Sequence, residues 1–407
     1  MTNAYSVAQH FQGPFDDQAL CEWAAGLRAQ LQAPQVTLGL VFMAPAWFEH
    51  AAETLEVLRM HARIPLLVGC SGAGLISGGE EIETNPGLSV GLYHLPGAKL
   101  KACHLTQANV EACGSTHYWP DHTGVSPGGT HAWLVFADPY RMDCEGWLRT
   151  WSESYASLPV TGGLASGTHA QQATQLYLDG EVFEEGVVAV SVGGDVTVEG
   201  LLSQGCTPIG DTWTITRAER NFIMQIANRP AYAVLADTFN KLTPQEQQKA
   251  RGNLLVGLVT NEYQDEFHRG DFLIRNLLGA DPASGMLAVG AFPRTGQTMQ
   301  FQRRDAQSST EDLKVVLDQA RARLAGRPIY GGCLCSCNGR GKTLFSESNH
   351  DARLVQEHVG PIGLTGFFCN GEIGPVGSRS FLHGYSAALG LFVQKTAETN
   401  AAKVQAP

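Results

Sequence analysis

The stretch Leu66-Leu67-Val68-Gly69-Cys70-Ser71-Gly72-Ala73-Gly74 decides the fold. Its first half is an apolar run of strand length, and its second half is a glycine turn. Upstream, Val36-Thr37-Leu38-Gly39-Leu40-Val41-Phe42 reads as another buried strand, and Trp47 to His61 between the two reads as a helix. Downstream, the polar Gly78-Gly79-Glu80-Glu81-Ile82 reads as a hairpin, and Leu88-Ser89-Val90-Gly91-Leu92 returns as a strand. Strand, helix, strand and hairpin in succession make a β-α-β-β unit, which builds mixed sheets covered by helices.

The pattern recurs. A second copy opens with Ala132-Trp133-Leu134-Val135-Phe136, has a helix near Cys144 to Tyr155, and runs through Pro159-Val160-Thr161-Gly162-Gly163 into Leu164-Ala165-Ser166-Gly167. Its return strand is Val187-Val188-Ala189-Val190-Ser191-Val192. A third copy has Ile329-Tyr330-Gly331-Gly332-Cys333-Leu334-Cys335, a helix near Asp351 to His358, and Ile362-Gly363-Leu364-Thr365-Gly366. It turns through Asn370-Gly371-Glu372 and returns from Tyr385 to Val393. A fourth, weaker copy is expected at Leu254-Leu255-Val256-Gly257-Leu258-Val259. The period is too long for a solenoid. The expected fold is therefore α/β, with duplicated β-α-β-β units in mixed sheets.

Between the copies, Thr216-Arg217-Ala218-Glu219 has the form of a capping box opening a helix toward Asn228. Thr243-Pro244-Gln245-Glu246 starts another, with proline at the first helical position. Ser309 precedes an amphipathic helix carrying Leu313, Val316, Leu317, Ala320 and Leu324. Arg229-Pro230 breaks the chain. The expected division is an N-terminal extension over 1–29, domains over 30–229 and 230–393, and a flexible tail over 394–407.

Composition agrees with two domains: 407 residues, 43% hydrophobic and 16% charged, exceed one ordinary core. A formal net charge of −11 repels nucleic acid and anionic membrane surfaces, and no long Lys/Arg block offsets it. No run reaches the roughly 20 apolar residues that span a bilayer. The first residues, MTNAYSVAQHFQGPFDDQ, have neither the basic nor the apolar region of a signal peptide, so a cytoplasmic location is expected. The 10 cysteines, scattered through a core-rich chain, read as reduced thiols.

Several segments carry possible chemistry. Cys337-Asn338-Gly339-Arg340-Gly341-Lys342-Thr343 misses the phosphate-loop pattern by one position, and Leu344-Phe345-Ser346 after it reads as a short strand. Cys333, Cys335 and Cys337 alternate, so a strand points them to one face, at a spacing poor for zinc. Cys337 sits where the strand opens into the turn, and Arg340 is placed to stabilise its thiolate. The turns around Ser71 and Ser166 fail the G-x-S-x-G elbow, but such turns expose backbone N–H groups that bind anions. In Asn370-Gly371-Glu372-Ile373-Gly374-Pro375-Val376-Gly377, Glu372 is a lone carboxylate that either caps amides or meets a ligand; His383 follows. Arg275, inside Phe272-Leu273-Ile274-Arg275-Asn276, reads equally as an internal ion pair or a fork for a carboxylate. Asp138, after a buried strand, stands where α/β proteins place ligand contacts, or caps a turn.

These segments resemble a known family. Gly69-Cys70-Ser71-Gly72 with Gly79-Glu80-Glu81, Phe136-Ala137-Asp138-Pro139, Gly162 to Gly167 and Gln204-Gly205-Cys206-Thr207-Pro208-Ile209-Gly210 resemble the N-terminal FIST domain. Asp271 to Asn276, Phe301-Gln302-Arg303-Arg304-Asp305, Cys337 to Gly341, Gly366-Phe367-Phe368-Cys369-Asn370-Gly371-Glu372-Ile373-Gly374 and His383-Gly384 resemble the C-terminal FIST domain. The resemblance implies a sensory module for small ligands such as amino acids or related metabolites. Relatives occur in bacterial signalling proteins and in F-box proteins of ubiquitin ligases, and some are haem-based nitric oxide sensors.

No kinase, cyclase, methyl-accepting or F-box segment is visible in this chain, so output is expected through a separate partner protein. The residues expected at the ligand are Arg275, Arg340, Cys337, Asn370, Glu372, His383, Ser71, Ser166 and Asp138. No metal site is expected. Two alternatives stand beside this reading. One is an enzyme with Cys337 as nucleophile and His383 as base. The other is non-covalent haem, which needs only one axial histidine. Ligand identity and oligomeric state are not written in the sequence.

Overall fold

The structure, a computed structural model, describes residues 3–84, 87–168, 172–264, 266–268 and 270–396. Most of the expected flexible tail, 397–407, lies outside the described residues. The chain forms two compact units: Met1–Leu202 with Lys314–Pro407, and Ser203–Leu313.

The first unit is built from the three copies read in the sequence, each as the centre of one six-stranded sheet. The first sheet runs Ser6–Phe11, Leu88–Tyr93, Leu38–Met43, Leu67–Ser71, Leu176–Leu178, Glu181–Phe183. The second runs Ala98–Leu105, Val187–Gly194, Ala132–Ala137, Val160–Leu164, Glu372–Val376, Arg379–His383. The third runs Val196–Ser203, Ala387–Gln394, Ile329–Cys337, Leu364–Cys369, Leu75–Ser77, Glu80–Ile82. In each, the opening strand of the copy pairs parallel with the strand that enters the glycine turn. The hairpin after that turn leaves its own sheet. The first copy's hairpin joins the third sheet, the second's joins the first, and the third's joins the second.

The parallel pairs explain three glycines. Gly69, Gly162 and Gly366 lie opposite Val41, Val135 and Leu334. A Cβ on them would stand 1.7, 1.8 and 1.9 Å from those residues' carbonyl oxygens. Inner faces of the three sheets bury Leu40, Phe42, Leu134, Phe136, Cys335 and Phe367 in one core. Phe367 stacks on Phe42 at 4.8 Å and meets Phe136 edge-on at 6.0 Å. Outside, helices Asp17–Gln30 and Ala51–His61 contribute Leu20, Leu27, Leu55 and Leu58 to a second core against the first sheet. Cys144–Ser154 brings Trp147 and Trp151 onto Trp133 of the second sheet. His350–Val359 is the third copy's helix, starting one residue before the expected Asp351.

The second unit is one seven-stranded sheet with its own core. Here three expectations change. Thr216 opens no helix: Cys206–Glu219 and Phe222–Ile226 are strands. Ile215, Ile223 and Ile226 are buried in the core of that sheet, and Thr216 Oγ1 accepts the Asn228 N–H at 2.9 Å. Sheet burial overrides the cap signal. Leu254–Val259 is a strand but no fourth copy, because both its neighbours run antiparallel to it. The amphipathic helix begins at Ala306, before Ser309, because the Asp305 carboxylate accepts the Ser308 N–H at 2.7 Å. Thr243 caps Pro244–Ala250 with the expected box. In the first unit, Leu344-Phe345 is helical within Gly341–Phe345 and forms no strand. Among the described residues no helix is long and apolar enough to cross a membrane.

Candidate functional site

The three glycine turns of the first unit meet. The Ser166 N–H donates to the Ser71 carbonyl at 3.1 Å, and the Asn370 N–H to the Leu164 carbonyl at 3.1 Å. Ser166 Oγ completes the ring, accepting the Ala73 N–H at 2.8 Å and donating to the Phe368 carbonyl. Ser166 and Ser71 are fully buried, and Ser71 Oγ accepts the Gln175 N–H at 3.0 Å. Both serines therefore knit the turns together through main-chain bonds. Asp138 is also buried: its carboxylate accepts the Arg141 and Tyr140 N–H groups at 2.6 and 3.2 Å and the Thr174 hydroxyl at 2.7 Å. It caps a turn, which places Tyr140.

A polar rim opens beside this junction, at the carboxyl ends of two parallel pairs. Asn370 is half-buried and central. Its side-chain amide donates to the Ala165 carbonyl at 3.1 Å and to the Tyr140 hydroxyl at 3.3 Å. Its Oδ1 accepts the Asn338 amide at 2.9 Å. Tyr385, 42% exposed, packs its ring where a Cβ on Gly339 would come within 2.8 Å. Asn338 lies in the turn that follows Cys337, Tyr140 two residues past Asp138, and Tyr385 at the expected start of the third copy's return strand. No sequence signal separates an exposed tyrosine at a site from any other.

Behind the rim is a buried cluster. Glu372 is fully buried; its carboxylate accepts the Ser386 N–H and hydroxyl at 2.8 and 2.7 Å and the Cys369 thiol at 3.1 Å. Burial holds its carboxyl above the usual range. Cys337 Sγ accepts the Tyr385 N–H at 3.1 Å and the Gly339 N–H at 3.5 Å. Burial, with Glu372 beside it, pushes this thiol up to about 12. That reverses the expectation of a thiolate stabilised by Arg340. Arg340 turns elsewhere: its Nε and Nη2 donate to Asp351 at 2.6 and 2.9 Å, both side chains being essentially fully buried. Its role as an anion fork gives way to an internal ion pair. His383 is buried, with Nε2 at 3.1 Å from the Gly374 carbonyl. Arg275 belongs to the second unit and donates to the Ile274 carbonyl at 3.0 Å. The structure thus joins Ser71, Ser166, Asn370 and, through Tyr140, Asp138 around the junction, with Cys337 and Glu372 beneath.

Comparison with known proteins identifies relatives along most of the chain. Residues 37–229 match the FIST N domain and residues 231–375 the FIST C domain. An uncharacterised protein of Mycobacterium tuberculosis is 33% identical over 376 residues, covering 92% of this chain and 96% of its own. One from Mycobacterium bovis is 35% identical over 380 residues, covering 92% and 95%. Among solved structures, a cyanuric acid hydrolase from A. caulinodans aligns over 96% of this chain and 100% of its own, at 8% identity and a TM-score of 0.35.

Proposed function

Because the chain belongs to the FIST family, whose two domains it carries in order, we propose that it is a sensory protein that binds a small polar ligand. The ligand is an amino acid or another small anionic metabolite, and the signal passes through a separate partner protein. One observation carries the choice of site: Asn338, Asn370 and Tyr140 form a half-buried hydrogen-bonding chain where three main-chain turns converge. Open α/β sheets bind ligands outside the carboxyl ends of their strands. Both Asn370 amide hydrogens are spent within the rim, which leaves the Asn338 amide and the Tyr140 phenol to donate to carboxylate oxygens without a full countercharge. The turns behind them are held by main-chain bonds, so the rim is preorganised.

No observation favours the enzyme reading, since Cys337 is buried and its thiol is pushed up to about 12. For haem, the buried His350 bonds Asp351 and the buried His383 the Gly374 carbonyl, and no observation favours either as an axial ligand. Native mass spectrometry of the purified protein, followed by calorimetry against amino acids and central anionic metabolites, tests the proposal. Wild type is expected to retain or bind a ligand, and Asn370→Ala, which removes the amide that positions the Asn338 side chain and the Tyr140 hydroxyl, to weaken it about tenfold, the effect of one misplaced hydrogen bond to a charged group. Absence of any binder sinks the proposal; unchanged affinity in Asn370→Ala moves the site elsewhere. Arg275→Ala tests separately the carboxylate fork expected in the second unit.

A further inference from the structure

The loop that carries Asn338 is strapped down from behind by the first copy's hairpin. Glu81, on the donated strand Glu80–Ile82, is only 5% exposed. Its Oε1 accepts the Asp351 and Ala352 N–H groups at 2.8 and 2.9 Å, the first amides of helix His350–Val359. Its own N–H donates to Asn349 Oδ1 at 2.8 Å. Just beyond, Glu83 accepts the Lys342 N–H at 3.0 Å, at the far end of the loop. The same Asp351 holds Arg340 from the middle of the loop and accepts the Ser336 hydroxyl at 3.0 Å.

One oxygen breaks the pattern. Glu81 Oε2 is buried with no hydrogen-bond partner among the described residues. An ionised carboxylate there leaves that buried oxygen bare and is repelled by the Asp351 carboxylate, while a protonated one keeps its accepting oxygen and loses the charge. The titratable and charged groups around it are Asp351, Glu83 and, across Asp351, Arg340 and the His350 imidazole. Arg340 and His350 bind Asp351, so the nearest charges Glu81 faces are negative.

We propose that this hairpin is a proton-operated latch on the loop 337–341 and hence on the rim: protonated Glu81 holds it closed, and ionised Glu81 lets it open. This rests on the reading of the rim as the ligand site. Burial first, then Asp351, raises Glu81 from 4.5 to about 7. A carboxyl raised in the closed state favours closure below its open-state value, and closure weakens as pH rises through that window. Opening therefore grows at most about tenfold per pH unit and levels above pH 7.

Amide hydrogen exchange from pH 5 to 8.5 tests the latch, with protection corrected for the intrinsic rate. Protection at Asp351, Ala352 and amides 339–342 is expected to fall roughly fortyfold between pH 5 and 7 and only about twofold more by pH 8.5. Glu81→Gln, which carries no charge at any pH, is expected to hold protection constant. Glu83→Gln removes a like charge and moves the levelling point to lower pH. A level wild-type profile overturns the latch whether or not either variant folds. So does an equal slope in Glu81→Gln, or a slope at 351–352 that is absent at 339–342. Exchange needs no ligand, so a level profile leaves the ligand reading standing, and failure to find a binder leaves the latch standing.

Discussion

Gly69 shows how little room a single position has in this molecule. Its missing Cβ would stand 1.7 Å from the Val41 carbonyl oxygen, an atom of a fully buried strand. Gly69→Ala must push two paired strands apart, a backbone shift beyond the ~1–3 kcal/mol of ordinary overpacking. It is expected to lower the melting temperature steeply or prevent folding. Gly26, exposed in helix Asp17–Gln30 with nothing within 4 Å of its Cβ position, is the control. Gly26→Ala should stabilise by about 0.5–1 kcal/mol through helix propensity. Equal effects of the two would refute the close approach. Cys337 is the second case. With its thiol pushed up to about 12, it should resist iodoacetamide at pH 7.5, while the half-buried Cys21 and Cys113 label first. Rapid native labelling of Cys337 would overturn that burial argument. In the sequence Arg340 follows this thiol by three residues, which does not show the direction of its side chain. Asp351, 11 residues beyond, captures the guanidinium, and no local pattern announces a partner at that distance.

Elements were legible where one physical signal acted alone. The strands of each copy followed from short apolar runs bounded by glycine, with a helix between them; that the two strands pair parallel is seen only in the structure. The Thr243 cap held because nothing competes with it. The segment after Thr216 carried the same cap chemistry but also isoleucines at positions a sheet buries, and the sheet prevailed. That hairpin carries a testable weakness. Arg220 has φ +51 in the two-residue link between the paired Glu219 and Phe222. A non-glycine residue in left-handed backbone costs roughly 1–2 kcal/mol. Arg220→Gly is therefore expected to raise stability by up to about 1 kcal/mol, less the entropy glycine adds to the unfolded chain. A lower melting temperature would mean that Arg220 contributes contacts outweighing its strain. The rim was less legible than these elements. Asn370, Asn338 and Tyr140 meet through separations of 32 and 230 residues, which the three-copy pattern implies only once the hairpins are known to change sheets.

At the scale of the first unit, that exchange of hairpins is the governing fact. No copy completes its own sheet, since each lends its hairpin to another and borrows one in return. The edge positions follow the same rule: Ala98–Leu105 follows the first copy and flanks the second sheet, and Val196–Ser203 follows the second and flanks the third. Ser6–Phe11 takes the matching place in the first sheet, coming from the chain's other end. Stability should then belong to the ring of three sheets together. Phe367 tests this, because it lies in the third sheet while stacking on Phe42 of the first and meeting Phe136 of the second. Phe367→Ala removes a fully buried aromatic and should cost about 3–5 kcal/mol. If the ring opens as one unit, the slowest-exchanging amides of Leu38–Met43, Ala132–Ala137 and Ile329–Cys337 lose protection by the same amount. If the copies open singly, the loss concentrates in Ile329–Cys337 and Leu364–Cys369, and the first two sheets keep their wild-type rates. The second pattern would make the borrowed hairpins mere contacts, whereas the first makes them the reason three similar units behave as one cooperative body.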